Sequence, residues 1–245
     1  MRRFVVTVAL MLLVFLMIKG SAAADTIYPW VDNTNHWPGY GNSNENSTDT
    51  IGEPNITGGT VVVSGTGFLK SISYDFITPP GWSFSKMKPG DLFLDTNNDQ
   101  TWDYVLSLGY DSAHQYVPTG VVTLYQINFS AAGYLITGSD NTGYWSGYGI
   151  RNNHPYAYVD FSNAVNLGSG SVSGGISALP TSPFTYSLPI NAISVSGPLT
   201  FGFTENCAND VVKETVTTAP EPGTMLLLGT GLIGAAIFGR KRLKK

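Results

Sequence analysis

Period-two alternation in short runs, each closed by a turn signal, is the feature that most limits what this chain can fold into. Ile72, Tyr74 and Phe76 alternate with Ser71, Ser73 and Asp75. Trp102, Tyr104 and Leu106 alternate with Thr101, Asp103 and Val105. Thr123, Tyr125, Ile127 and Phe129 form a third series, and Leu199, Phe201 and Phe203 a fourth. A strand turns successive side chains to opposite faces, so such runs read as strands. Pro79-Pro80-Gly81, Lys88-Pro89-Gly90 and Pro118-Thr119-Gly120 supply turns between them. No segment between residues 25 and 219 offers a long amphipathic helix. The 28 glycines and 14 prolines interrupt helices and exclude a helical bundle or coiled coil. Aromatic residues at 12% are too many for a charged disordered chain.

Many short strands predict an all-β ectodomain over residues 25–214, an antiparallel β-sandwich or jelly-roll. Residues 25–60, rich in Asn, Gly, Pro, Ser and Trp, predict a loop-rich entry. The stretch from Gly168 to Gly175 predicts a loop or an edge strand. Residues 215–219 predict a short stalk.

The charges divide the chain into three. Of thirteen basic residues, three fall in the first nineteen positions and five in the last six. Between residues 25 and 219 five basic residues face sixteen acidic ones, a net charge of −11. That balance excludes a nucleic-acid partner and points to ends that meet a membrane. Arg2 and Arg3 precede an apolar run from Phe4 to Ile18, followed by Ser21-Ala22-Ala23-Ala24. This order predicts a secretory signal peptide over 1–24, removed by signal peptidase after passage through the secretion machinery. At the other end, residues 224–239 are apolar and rich in Leu, Gly and Ala. At about 1.5 Å per residue they reach roughly 24 Å. That is short for a hydrocarbon core of about 30 Å, a mismatch that thinning absorbs. They predict one transmembrane helix in the inner membrane, with the basic tail 240–245 on the cytoplasmic side.

The order Pro220-Glu221-Pro222, apolar helix, then Arg240-Lys241-Arg242 resembles the PEP-CTERM sorting signal of Gram-negative bacteria. The resemblance covers roughly the last 26 residues. It implies an exosortase partner that processes the tail near the motif, and a cell-surface or extracellular-matrix destination. The tail reports address and not activity. Phe203 to Asp210, with the sole cysteine Cys207, resembles a segment that precedes the anchor in such proteins. It predicts a final strand pair with a turn at Asn209-Asp210. One cysteine also excludes an internal disulfide framework and a Cys-rich zinc site.

Two clusters carry candidate chemistry. Asp95, Asn97, Asp99 and Asp103 place side-chain oxygens at loop positions one, three, five and nine, and Thr101 offers its carbonyl at position seven. Oxygen donors at that spacing suit Ca²⁺, and the loop resembles the calcium loops of EF-hands and extracellular D-x-N-x-D repeats. It departs from the EF-hand at Gln100, where the sharp turn has Gly, and at Leu106, where a bidentate Glu belongs. The competing reading is an Asx-rich hairpin turn. Tyr144 and Trp145, between Gly143 and Gly147, could stack on sugar rings. Tyr28, Trp30, Trp37 and Tyr40 form a second aromatic group, and Tyr156 and Tyr158 read as core. His36, His114 and His154 read as loop residues. Residues 25–219 hold no nucleophile elbow, P-loop or dinucleotide fingerprint. The sequence therefore predicts a non-enzymatic structural, adhesive or glycan-binding protein of the exopolysaccharide or biofilm. The rivals are a carbohydrate-active enzyme on the same scaffold and an ice-binding protein.

Overall fold

The computed structural model describes residues 24–33, 55–77, 90–109, 120–128, 134–136, 155–158, 160–174, 184–204, 210–218 and 229–231. Strands dominate them. Ten join in one antiparallel sheet: β1 (Thr26–Val31), β2 (Asn55–Val63), β3 (Leu69–Ile77), β4 (Leu92–Asp95), β5 (Tyr104–Ser107), β6 (Val121–Gln126), β9 (Val165–Ser173), β10 (Phe184–Ser187), β11 (Pro198–Thr204) and β12 (Val211–Thr217). Their order is β1-β2-β3-β10-β9-β6-β5-β4-β11-β12. The short pair β7 (Tyr134–Ile136) and β8 (Pro155–Tyr158) forms a second sheet.

The all-β class is as expected, but the architecture is not a sandwich of two equal sheets. One sheet curls until its edge strands β1 and β12 meet, and it nearly closes as a barrel. Side chains bridge this seam. The Asn33 N–H donates to Glu214 Oε1 at 2.6 Å. The Ile56 N–H donates to the buried carboxylate of Asp210, which also accepts from the Val211 N–H at 2.8 Å.

The sheet buries apolar side chains on both faces. The barrel interior holds Trp30, Ile72, Tyr74, Leu94, Leu106, Leu124, Phe184, Tyr186, Phe201 and Phe203 among others. Its centre is aromatic: Trp30 meets Tyr74 edge-on at 5.4 Å and Phe201 at 5.1 Å, and Tyr74 lies 4.6 Å from Phe203. Phe93, Trp102, Val105, Ile127 and Val211 point the other way and form a second cluster with Tyr158 of β8. Asp91 ties that covering strand down, because its carboxylate accepts from the N–H groups of Leu108 and Tyr158, both at 2.9 Å.

Three boundaries differ from expectation. Residues 25–60 contain β1 and the start of β2, so the entry is partly sheet. The Gly/Ser stretch is neither loop nor edge: it ends β9, which lies between β10 and β6. Gly170 explains why, since a Cβ there would stand 2.0 Å from the Ser187 carbonyl oxygen, and only glycine allows so close a strand. The expected stalk is also sheet as far as Thr217, which pairs with Pro198. The signal peptide before Ala24 lies outside the described residues. Only 229–231 of the expected transmembrane span are described, and they are helical. Among the described residues no helix is long and apolar enough to cross a membrane.

Two outcomes follow. Asp210→Ala strands two amides at the seam and should cost about 2–4 kcal/mol in urea unfolding, whereas Glu214→Ala, at the partly exposed rim, should cost less than about 1 kcal/mol. The Tyr74 hydroxyl is buried without a hydrogen-bond partner among the described residues. Burial alone drives its pKa well above the ordinary value. A raised folded-state pKa means that the stabilisation is complete below the unfolded value of about 10 and is lost as pH rises beyond it. Tyr74→Phe should therefore match the parent near neutral pH and flatten the loss of stability above pH 10.

Candidate functional site

The β4–β5 connection is the described part of the chain with the richest polar chemistry. Asp95 closes β4 opposite Thr200 of β11, which fixes where the loop leaves the sheet. Its carboxylate is fully buried and gathers the loop beneath it. Oδ1 accepts from the N–H groups of Asn97 at 3.2 Å and Asn98 at 2.6 Å, and Oδ2 from Gln100 at 3.0 Å. Asp103 mirrors it from the β5 side: its Oδ2 accepts from the Thr96 N–H at 2.8 Å and the Thr96 hydroxyl at 2.7 Å. Asn97 Oδ1 accepts from the Asp99 N–H, and Asp99 Oδ1 from the Thr101 N–H. The bonds to Asn97, Asp99 and Thr101 from the side chain two residues earlier are Asx-type turns, in which a short side chain replaces a backbone acceptor.

The chain must pass through left-handed conformations to do this. Asn98 has φ of 58° and Gln100 of 69°. Asn tolerates that region, whereas Gln costs more there. Gln100 thus takes the conformation of the glycine it replaces. Trp102 anchors the far side by burying its ring against Phe93, with centroids 5.8 Å apart.

Lys213 sits half-buried near the loop; burial lowers its pKa, and the negative charge of Asp95 offsets part of that shift. The Tyr104 phenol is pushed up, first by burial and then by Asp103. Among the described residues no three His, Cys, Asp or Glu side chains converge in a group that could hold a metal ion. The five residues expected as calcium ligands do share one short loop, with Asp95 buried and Asn97, Asp99 and Thr101 exposed.

Trp30, from the first aromatic group, packs inside the barrel, and Tyr158 is core as expected. Tyr144, Trp145, His36, His114, His154 and Cys207 lie outside the described residues, as do Pro220, Glu221, Pro222, Arg240, Lys241 and Arg242.

A feature that linear reading misses stands on the outer face of β2, β3, β10 and β9. Thr60, Ser73, Thr185 and Ser173 form one cross-strand row. Ser71, Ser187 and Ser171 form the next. Rows repeat about 4.8 Å across the strands and about 6.7 Å along them. Ser171 and Ser173 are exposed, Thr60, Ser71, Thr185 and Ser187 half-buried, and Ser73 buried. In the sequence these hydroxyls are scattered over more than a hundred positions, and only the strand order assembles them.

The hydrogen bonds of the loop can be tested without calcium. Asp95→Ala should destabilise the domain by about 2–3 kcal/mol because three loop amides lose their acceptor, while Asp99→Ala at the exposed tip should cost less than about 1 kcal/mol. Urea titrations in a chelator separate the two.

No curated protein and no solved structure matches this chain. The family model described as the PEP-CTERM protein-sorting motif matches residues 218–242, the stretch that begins where β12 ends. The chain therefore carries a PEP-CTERM sorting motif, which marks it as an exosortase-sorted, exported protein of the cell envelope or surface.

Proposed function

We propose that the exported domain is a non-enzymatic structural or adhesive protein of the extracellular polysaccharide, released to the matrix or cell surface of a Gram-negative bacterium after exosortase processing. The observation that supports this is the two-row hydroxyl face on β2, β3, β10 and β9. Its residues carry no charge; Ser171 and Ser173 stand exposed, while Thr60 and Ser73 already share a hydrogen bond at 2.8 Å. Sugar hydroxyls exchange hydrogen bonds with such groups singly and weakly, at about 0.5–1.5 kcal/mol each. Adhesion of this kind grows through repetition along a polymer. Tyr144 and Trp145 remain the stacking residues of this reading, on the strength of their flanking glycines.

The same regular spacing favours one second reading, that of an ice-binding face. The right-handed twist of a curled sheet opposes it, as does the predominance of Ser over Thr. Measurement of thermal hysteresis separates the two.

Calcium is a subsidiary part of the proposal. It is supported by the oxygen spacing of Asp95, Asn97, Asp99, Thr101 and Asp103 and by the left-handed turn at Gln100. Its role would be to clamp the β4–β5 hairpin. At a free calcium level ten times the dissociation constant, linkage adds about 1.4 kcal/mol. That should raise the melting temperature by a few degrees, and Asp95→Ala with Asp99→Ala should remove the rise. An unmoved melting curve in millimolar calcium would leave the loop a plain turn.

The adhesion test uses the exported protein and the polysaccharide of its own host. Ser171→Glu with Ser173→Glu introduces two carboxylates on the hydroxyl face at exposed positions and should leave the melting temperature nearly unchanged. Retention on the polysaccharide should fall at least tenfold. Retention equal to that of the parent would remove the hydroxyl face from the binding surface.

A further inference from the structure

We infer that the folded edge of the barrel holds the sorting signal in check, so that exosortase processing requires the end of β12 to open first. This rests on the sorting reading above and adds a control that the motif alone does not contain. The observation is one of distance along the chain. β12 stays paired with β11 to its last residue, Thr217 opposite Pro198. Thr218 is then held as well. It is only 2% exposed, its N–H donates to the Gly197 carbonyl at 3.1 Å, and its hydroxyl donates to the same oxygen at 2.7 Å. Ala219 alone separates this clamp from Pro220. The matched motif begins at residue 218, so its first residue is already part of the fold.

Enzymes that process peptides engage extended chain on both sides of the bond they cut, and segments inside a sheet react through local opening. Two residue steps separate Thr218 from Pro220, a reach of at most about 7 Å. A membrane enzyme cannot insert one wall of a cleft into that gap while the barrel is intact. The topology sharpens the obstruction. Every neighbouring pair in the sheet is antiparallel, so β1 and β12 run in opposite directions around the barrel. The start of β1, the turn between β2 and β3, the Asp95–Asp103 loop and the Leu188–Gly197 connection therefore crowd the same end as the exit at Thr218. β12 is the strand best placed to open, because it is an edge strand whose outer side is bridged by side chains rather than a full ladder.

The test follows precursor and processed forms of the full chain by pulse–chase in the exosortase-bearing host. Thr218→Val removes the hydroxyl but keeps the shape. The loss of one hydrogen bond favours opening about fivefold, and processing should accelerate by that factor. Six Gly/Ser residues inserted between Ala219 and Pro220 should accelerate it at least as much. In that background Thr218→Val should add nothing, because the motif is no longer tied to the strand. Unchanged processing in the insertion variant overturns the inference, as does a full Thr218→Val effect on top of the insertion. A separate arm, Pro220-Glu221-Pro222 replaced by alanines, tests the sorting reading itself. Loss of processing there with no effect of the insertion would retain exosortase sorting and reject the clamp, whereas normal processing of that triple variant would reject both.

Discussion

A curled sheet of ten strands leaves two open edges unless its first and last strands meet, and here carboxylates bridge them. β1 and β12 do not need to extend a continuous ladder around the barrel. Asp210 reaches the Ile56 amide and Glu214 the Asn33 amide, so acceptors from one edge satisfy donors near the other. Unsatisfied edges are sites of unwanted pairing. A buried carboxylate is costly unless its oxygens find donors, and Asp210 finds two. The arrangement leaves β12 joined on one side by seven paired residues and on the other by isolated contacts. That asymmetry allows closure without making the last strand as firmly held as a central one.

Closure also explains the uneven legibility of the sequence. Alternation in β3 and β11 was readable because Ile72, Tyr74, Phe201 and Phe203 face the interior while Ser71, Ser73 and Thr200 do not. In β4 to β6 it does not separate inside from outside, because Tyr158 of β8 and Phe161 cover the outer face. There Phe93 and Leu94, or Val105 and Leu106, are both buried on opposite sides. A strand buried on both faces gives no inside and outside to its period: β4 reads as a plain apolar run, and the alternation visible in β5 and β6 does not tell core from surface. β9 failed for the opposite reason: Val165–Ser173 is mostly Gly, Ser and Asn, and composition suggests flexibility. The requirement for glycine comes from a neighbouring strand that sequence does not identify as a neighbour.

The candidate site divides in the same way. The β4–β5 loop was legible as a cluster because its donors lie within nine consecutive residues, and local Asx chemistry needs no tertiary knowledge. The burial of Asp95 beneath it was not legible, since that depends on Thr200 of a strand a hundred positions away. The hydroxyl face was invisible altogether, because serine and threonine carry no sequence signal of assembly.

The outer surface of the barrel thus has two characters set by strand order. Strands β6, β5, β4 and β12 turn apolar residues outward against Tyr158 of β8 and Phe161. Strands β2, β3, β10 and β9 turn hydroxyls outward. In the proposed adhesive role this division selects the partner. A region with net charge −11 repels an anionic polymer over distances up to the Debye length, about 8 Å at physiological salt. Hydroxyl contacts act only at about 2.7–3.0 Å, inside that range, so an acidic polysaccharide meets repulsion before it meets a donor. A neutral or amine-bearing polysaccharide meets none. The charge balance and the hydroxyl rows are therefore compatible with the same partner only if that partner is not itself strongly acidic.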